Sequence, residues 1–215
     1  MPSSETLKDD LETRFDELSE NRRIRLHRAI SWIRRAEQET DDADATFIFY
    51  WIAFNAAYAQ EFSQEQTERQ TFVEFLKAVT AADPAGRLHG VLFATFSGPV
   101  RMLIDNKFVF EPFWRAMREH DPTETWKRAF ETEKKLALQH LMANRTAEVL
   151  RIVLDRLYVL RNQLLHGGAT WSSSVNRQQV QDSAKIMAAL VPVLVELMIA
   201  TDEDQDVPIA YPVVR

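Results

Sequence analysis

The chain has 215 residues, of which 46% are hydrophobic and 27% charged, and its formal net charge is −6. This composition is typical of a globular protein with one sizeable core, and 5 glycines with 8 prolines leave few turn residues for β-hairpins. The lack of cysteine excludes disulfides, thiolate metal sites and cysteine nucleophiles, and the negative charge argues against non-specific nucleic-acid binding over the whole surface. We therefore expect an all-α protein.

The first part of the chain predicts two long helical regions. Residues 5–39 form an amphipathic pattern that is broken near Ser19, and residues 41–62 are apolar on nearly every side after an acidic start. Acids suit a helix N-terminus, so we interpret the acids of residues 41–44 as helix-start residues, with a cation site as the alternative. The second helix is expected to lie buried in the core.

Residues 21–35 are the most basic stretch of the sequence, with six arginines, one histidine and no acid. On a helical wheel Leu26, Ala29, Ile30 and Ile33 form one face, and the arginines fall on both flanks of it. We favour a solvated amphipathic helix that pairs with acids elsewhere, and a local groove for nucleic acid is the alternative.

Prolines and glycines mark the predicted helix boundaries in the middle of the chain. Asp83-Pro84 and Asp121-Pro122 each place a capping acid before a proline, which predicts a helix start at both sites. Glu124, three residues after Asp121, adds the pattern of a capping box to the second start. Ser97-Gly98-Pro99 is expected to break the pattern into a short helix and a loop-rich stretch, before a helix over residues 123–143.

Two helices and a tail are predicted for the C-terminal part. The helices span residues 146–166 and 176–200, and two prolines predict an extended tail over residues 202–215. The longest apolar run, residues 186–200, is too short for a bilayer span, so we interpret it as a core or interface helix. The prediction is one helical domain over residues 1–201, without a visible signal peptide and located in the cytoplasm.

The end of the predicted helix 146–166 carries the residues that raise the question of function. Arg161 falls in the apolar stripe of this helix, where a guanidinium needs a partner or water. Asn162 and His166 share a neighbouring face, whereas Arg161 and His166 lie about 140° apart around an ideal helix. They converge if the last turn loosens before Gly167-Gly168, or if a second copy of the helix lies alongside.

An ordinary helix end contains some of the same residues, since a terminal histidine complements the helix dipole and glycine caps the C-terminus. The residue types alone leave both interpretations open. RNQLLHG, however, resembles the motif of the HEPN superfamily, in which an arginine, a polar residue that is often asparagine, and a histidine occur at a helix end. YWIAFNAAYA, residues 50–59, resembles the W-x-x-F-N-x-x-Y helix of the Apea-like HEPN branch, and a plain aromatic core helix is the alternative.

The resemblance covers residues 41–200 and implies a HEPN-like helical bundle with an additional N-terminal helix. It also implies a homodimer that cleaves RNA without metal or cofactor, by attack of the ribose 2′-OH. Arg161 is then assigned to the scissile phosphate, Asn162 to orientation and His166 to general acid or base catalysis, with two histidines supplied by a composite dimer site. A role as bacterial toxin or antiphage effector, with an antitoxin or defence-system partner, follows from the same resemblance.

A non-catalytic HEPN module that dimerises or binds a protein or small ligand is the alternative function, and a helical scaffold outside the family is a third. The remaining histidines, His27, His89, His120 and His140, are isolated and lack the spacing of metal ligands. We therefore expect no metal site. We also expect no cofactor and no membrane contact.

Overall fold

The computed structural model describes residues 1–58, 68–201 and 209, with side chains described for 1–58, 72–201 and 209. All regular secondary structure in these residues is helical and none is strand, which confirms the predicted all-α class. Residues 59–62 of the predicted second helix lie outside the described residues. The predicted tail over residues 202–215 lies outside them too, apart from Ile209, which is buried.

The described part of the chain contains ten α-helices, numbered α1 to α10. The first five are α1 (Ser4–Thr13), α2 (Glu20–Glu37), α3 (Ala43–Tyr58), α4 (Glu68–Ala81) and α5 (Arg87–His89). The other five are α6 (Ser97–Ile104), α7 (Glu111–Arg118), α8 (Thr125–Met142), α9 (Thr146–Leu165) and α10 (Arg177–Ala200). A π-helical segment, Gly90–Thr95, follows α5 directly, and 3-10 turns lie at Phe15–Glu17 and Lys107–Val109.

The helices belong to two compact units. Unit 1 comprises Met1–Leu88 and Ala184–Arg215, and unit 2 comprises His89–Ser183, so α10 contributes residues to both. The single domain over residues 1–201 stays a prediction.

In unit 1, α2 packs against α1 and α3. The break expected near Ser19 is present, because the Ser19 hydroxyl accepts the Arg22 N–H at 3.4 Å and starts α2. The apolar face predicted for this helix is buried, as its four members show: Leu26, Ala29, Ile30 and Ile33. Asp42 caps α3 by accepting the N–H groups of Asp44 at 2.9 Å and Ala45 at 3.0 Å, which supports the helix-start interpretation of these acids.

The expectation of a solvated amphipathic helix is wrong at two arginines of the basic stretch, which are buried. Arg22 and Arg25 are both buried, and Arg22 donates to the carbonyl oxygens of Met198 and, at 3.1 Å, Thr201. Arg14 donates to the Ile199 carbonyl at 2.7 Å. The last carbonyls of a helix lack partners within the helix and attract cations, so Arg14 and Arg22 stabilise the C-terminal end of α10.

The apolar C-terminal helix α10 is the longest helix in the described part of the chain, with 24 residues, and Pro192 lies inside it. By length and composition alone it could cross a membrane, but 78% of its most apolar window is buried inside the protein. One such helix is weak evidence for a membrane span, because buried core helices pass the same test. The burial agrees with the predicted core helix.

The helix predicted to begin at Asp83-Pro84 begins three residues later. Residues 83–86 form a turn, in which the Gly86 N–H donates to the Asp83 carbonyl at 3.1 Å and Gly86 has φ +63°. The Asp83 carboxylate then accepts the N–H groups of Arg87 at 2.9 Å and Leu88 at 2.8 Å. The capping acid was therefore identified correctly, but Pro84 belongs to the turn and not to the first helical position.

The other two boundary predictions in this region are wrong. Glu124 occupies the N-cap position of α8 in the left-handed region, with φ 52°, and makes no side-chain cap bond, so the capping box is absent. Asp121 instead accepts the Thr123 N–H at 2.8 Å within the preceding turn. The stretch that was expected to be loop-rich begins instead with α6, whose first turn is Ser97-Gly98-Pro99, since proline is tolerated in a first turn where its missing N–H costs nothing.

In unit 2, α9 is the central helix and packs against α6, α8, the π-helical segment and the Lys107–Val109 turn. Most of its length is buried on several sides, as nine of its residues show: Val149, Leu150, Ile152, Val153, Leu154, Arg156, Leu157, Val159 and Leu160. Its last turn is more open, because the residues from Arg161 to Leu164 are half-buried and those from Leu165 onward are exposed. The candidate motif lies in this open turn.

Candidate functional site at the end of helix α9

The predicted site residues lie together at the C-terminal end of α9. Arg161 and Asn162 are half-buried in the last turn, and His166 is the exposed C-cap residue. Arg161 Nη1 donates to Asn162 Oδ1 at 2.9 Å. The structure therefore brings the arginine and the asparagine into direct contact, and it presents the histidine to solvent one turn after Asn162.

The last turn of α9 remains helical up to the histidine. The His166 N–H donates to the Asn162 carbonyl at 3.0 Å, which is the normal hydrogen bond of an α-helix. The turn does not loosen in the way that would bring Arg161 and His166 onto one face of a single helix. No described residue forms a hydrogen bond or ion pair with the His166 imidazole.

Arg161 has more donors than its surroundings use. A guanidinium carries five N–H donors, and the bond to Asn162 is the one that the described residues provide. Its Nε is buried and has no hydrogen-bond partner among them. A half-buried guanidinium with spare donors has the capacity to bind a phosphate or carboxylate oxygen.

The double glycine ends α9 as the sequence predicts. Gly167 has φ +70°, a conformation that side chains disfavour, and the Gly168 N–H donates to the Gln163 carbonyl at 2.8 Å. This is the long bond of a Schellman motif. A Cβ built on Gly168 would lie 3.2 Å from the Gln163 carbonyl oxygen, so both positions favour glycine.

Two apolar side chains are exposed on the same face of α9 as Arg161 and Asn162. Tyr158 is 50% exposed and Leu165 is 48% exposed. Their spacing from the motif, three or four residues in either direction, places all four on neighbouring positions of one helix surface. The motif therefore lies within an exposed face that has both polar and apolar character.

The Lys107–Val109 turn lies beside the last turn of α9. Gln163 Nε2 donates to the Phe108 carbonyl at 2.5 Å, and Asn106 Nδ2 donates to Gln179 Oε1 at 3.0 Å near the start of α10. Sequence reasoning did not identify Phe108 or Gln163. They are separated by 55 residues, and no local pattern indicates their contact.

Sequence reasoning also missed Arg156, the most completely buried arginine described, at 1% exposure. It forms an ion pair with Glu133 at 3.0 Å, and its guanidinium lies 4.4 Å from the Phe110 ring and 5.4 Å from the Phe130 ring. Burial lowers the Arg156 pKa, and the charges of Glu133 and Asp155 oppose that effect. The apolar residues around Arg156 in the sequence are a signal for its burial, but no local pattern indicates its partner Glu133.

The second motif, YWIAFNAAYA, lies on α3 in unit 1, and its last residue, Ala59, is outside the described residues. Its aromatic side chains are buried and Asn55 is half-buried. Trp51 and Phe54 have ring centroids 5.7 Å apart, and Phe54 stacks on Tyr58 at 6.1 Å. These contacts are those of an aromatic core helix, the alternative that the sequence left open.

The remaining histidines do not gather into a ligand cluster. Among the described residues, no group of three or more histidine, aspartate or glutamate side chains could hold a metal ion. His89 stacks on Phe93 with ring centroids 4.4 Å apart, and His140 is buried in α8. The chemistry of the candidate site therefore rests on Arg161, Asn162 and His166.

Comparison with known proteins adds no assignment. The chain matches no protein-family model, no curated protein and no solved structure. The fold and the residues at the end of α9 are thus the basis for any functional conclusion.

Proposed function

We propose that the chain is a HEPN-type endoribonuclease that cleaves RNA without a metal ion. The observation that carries the proposal is the pairing of Arg161 with Asn162 in the open last turn of α9, one turn before the exposed His166. Arg161 is half-buried and one of its five N–H donors is bonded to Asn162, while the imidazole of His166 is exposed to a substrate. The sequence resemblance of RNQLLHG to the HEPN motif supplies the reaction class.

In the proposed reaction a ribose 2′-oxygen attacks the adjacent phosphorus while the bond from phosphorus to the 5′-oxygen breaks. A histidine takes the proton of the 2′-OH or gives a proton to the leaving 5′-oxygen. Arg161 binds the non-bridging oxygens and stabilises the negative charge that develops there, and Asn162 holds the guanidinium. The products are a 2′,3′-cyclic phosphate and a free 5′-OH.

One chain supplies one motif histidine, so we propose a symmetric dimer in which two copies of α9 form a composite site. The helical last turn supports this proposal, because Arg161 and His166 of one copy do not share a face. Exposed Tyr158 and Leu165, on the face that carries Arg161, are suited to contact a second copy. Replacing Leu165 by aspartate should convert a dimer to a monomer in sedimentation and abolish cleavage. An active monomeric wild type would contradict the composite site.

The experiment for the activity itself uses the full chain with structured and single-stranded RNA in EDTA. The expected result is cleavage with 2′,3′-cyclic phosphate ends, while RNA that carries 2′-O-methyl groups stays intact because it lacks the attacking hydroxyl. If no RNA were cleaved, the proposed endoribonuclease activity would be contradicted.

A non-catalytic HEPN interaction module is the second candidate, favoured by the exposed apolar side chains beside the motif. In that case the bond from Arg161 to Asn162 fixes a binding surface, and changing His166 leaves partner binding intact. The toxin or antiphage role and the antitoxin or defence-system partner belong to the proposal and follow from the same resemblance. The cytoplasmic location is also part of the proposal, and it follows from the lack of cysteine and of a visible signal peptide.

A further inference from the structure

The Lys107–Val109 turn presents an aromatic side chain beside the candidate site. Phe108 is 40% exposed, and its carbonyl accepts the Gln163 side chain at 2.5 Å. Gln163 and His166 are three residues apart at the end of α9, and residues at this spacing are neighbours on a helix surface. The turn that carries Phe108 therefore lies on the side of α9 that carries His166.

Several hydrogen bonds hold this turn in place. The Phe108 N–H donates to Asn106 Oδ1 at 2.9 Å, and Trp114 Nε1 donates to the Phe108 carbonyl at 2.8 Å. The Phe108 ring also packs edge-on against Phe113, with centroids 5.5 Å apart. An exposed ring that is fixed from its backbone and from one edge loses little conformational entropy when a ligand stacks on it.

A cation that forms no ion pair with a described carboxylate lies near the ring. The Lys107 ammonium lies 5.1 Å from the Phe108 ring centroid and 5.7 Å from that of Phe113. No described carboxylate forms an ion pair with Lys107, whereas Lys127 pairs with Glu124 at 2.5 Å. Lys107 is exposed, so its charge is available to an anion beside the ring.

An exposed aromatic ring next to an available cation is the combination with which proteins bind single-stranded nucleic acid, the ring stacking on a base and the cation binding a phosphate. We propose that Phe108 and Lys107 form a subsite for one unpaired nucleotide of single-stranded RNA, next to the scissile position. This inference rests on the proposed function, since it gives the RNA substrate a base contact beside His166. It predicts a preference for single-stranded over double-stranded RNA.

The test is binding of a fluorescein-labelled, single-stranded 2′-O-methyl RNA of about twelve nucleotides to the full-length protein, measured by anisotropy. Replacing Phe108 by alanine should weaken binding by about fivefold or more, the usual effect of losing one base-stacking ring. Phe108→Leu keeps the apolar packing of the turn but lacks an aromatic face, so it should weaken binding similarly even if the alanine variant folds poorly. A series of probes, each with an abasic ribose at a different position, locates the stacked nucleotide. The probe that lacks the stacked base should bind wild type and the Phe108 variants equally.

The matched control is Phe15→Ala, because Phe15 is an exposed phenylalanine with a cation, Arg23, 4.2 Å from its ring centroid. Its binding should stay within about twofold of wild type. Equal binding by wild type and both Phe108 variants, together with RNA cleavage by the wild type, would overturn the subsite and leave the nuclease proposal standing. A wild type that neither binds the probe nor cleaves RNA would overturn both.

Discussion

The Arg161 guanidinium is bonded to the side chain of its own sequence neighbour, Asn162, at 2.9 Å. Consecutive residues of an α-helix point about 100° apart, so this bond turns the guanidinium away from the apolar stripe and toward the exposed face of α9. Arg161, which falls in the apolar stripe of the sequence, is therefore half-buried at the edge of this exposed face and not enclosed in the core.

The first prediction concerns the planar shape of the Arg161 guanidinium. Arg161→Lys keeps the positive charge but loses the planar fork that binds two oxygens at once, so the cleavage rate should fall by about 10²- to 10³-fold. Arg151→Lys is the control, because Arg151 lies on the same helix and pairs with Asp155 at 2.7 Å. Steady-state cleavage of one RNA by both variants is the measurement, and unchanged activity of Arg161→Lys would contradict the phosphate-binding role.

The second prediction concerns the left-handed residue that ends α9. Alanine at Gly167, where φ is +70°, should lower the free energy of unfolding by about 1–2 kcal/mol. Asparagine tolerates this conformation better, so Gly167→Asn should lose less. Gly98→Ala is the control, since a Cβ there meets no atom within 4 Å and its φ is not positive. Denaturant unfolding of the three variants tests the order, and equal stability of the two Gly167 variants would refute it.

The third prediction concerns the buried ion pair of unit 2. Glu133→Gln leaves the Arg156 guanidinium charged and buried without its carboxylate, which should cost roughly 2–3 kcal/mol of unfolding free energy. Arg156→Met fills much of the same space with an apolar chain and should change stability by less than about 1 kcal/mol. Thermal or denaturant unfolding of both variants provides the comparison, with the exposed Glu131→Gln as control. A larger loss of unfolding free energy for Arg156→Met than for Glu133→Gln would contradict this prediction.

The fourth prediction concerns stability at alkaline pH. Burial, with a smaller contribution from the Glu37 charge, raises the Tyr50 pKa from 10.0 to about 12. Because the folded state holds this proton more tightly than the unfolded state, its stabilising effect is complete below pH 10 and is lost as the pH rises to about 12. Wild type should therefore lose roughly 2–3 kcal/mol more than Tyr50→Phe over this range. If the unfolding free energies of wild type and Tyr50→Phe changed in parallel over this pH range, the raised Tyr50 pKa would be contradicted.

The sequence predicted much of the fold because helix periodicity and capping are local signals. The break at Ser19, the buried face of α2, the apolar character of α3 and the glycine end of α9 all appear in the structure. The errors at Pro84 and at Glu124 have a common cause. Asp83 and Asp121, the acids before the two prolines, do accept backbone N–H groups. The prolines, however, lie in turns that precede the helices. A sequence pattern does not distinguish such a turn from a first helical turn.

The candidate site was predictable only as far as its residues lie on one helix. Arg161, Asn162 and His166 were found by spacing, whereas the contact of Gln163 with Phe108 joins segments that are distant in sequence. The partners of the buried Arg156 and Arg22 come from other elements, so the sequence did not predict them. Long-range pairing of this kind has no signal in one unaligned sequence.

The catalytic role of His166 is tested by RNA cleavage in EDTA by His166→Ala, with His27→Ala as control because His27 is also exposed. We expect His166→Ala to lose about 10²- to 10⁴-fold in cleavage rate, while His27→Ala keeps the wild-type rate. Cleavage by His166→Ala at the wild-type rate would contradict the assignment of catalysis to the end of α9.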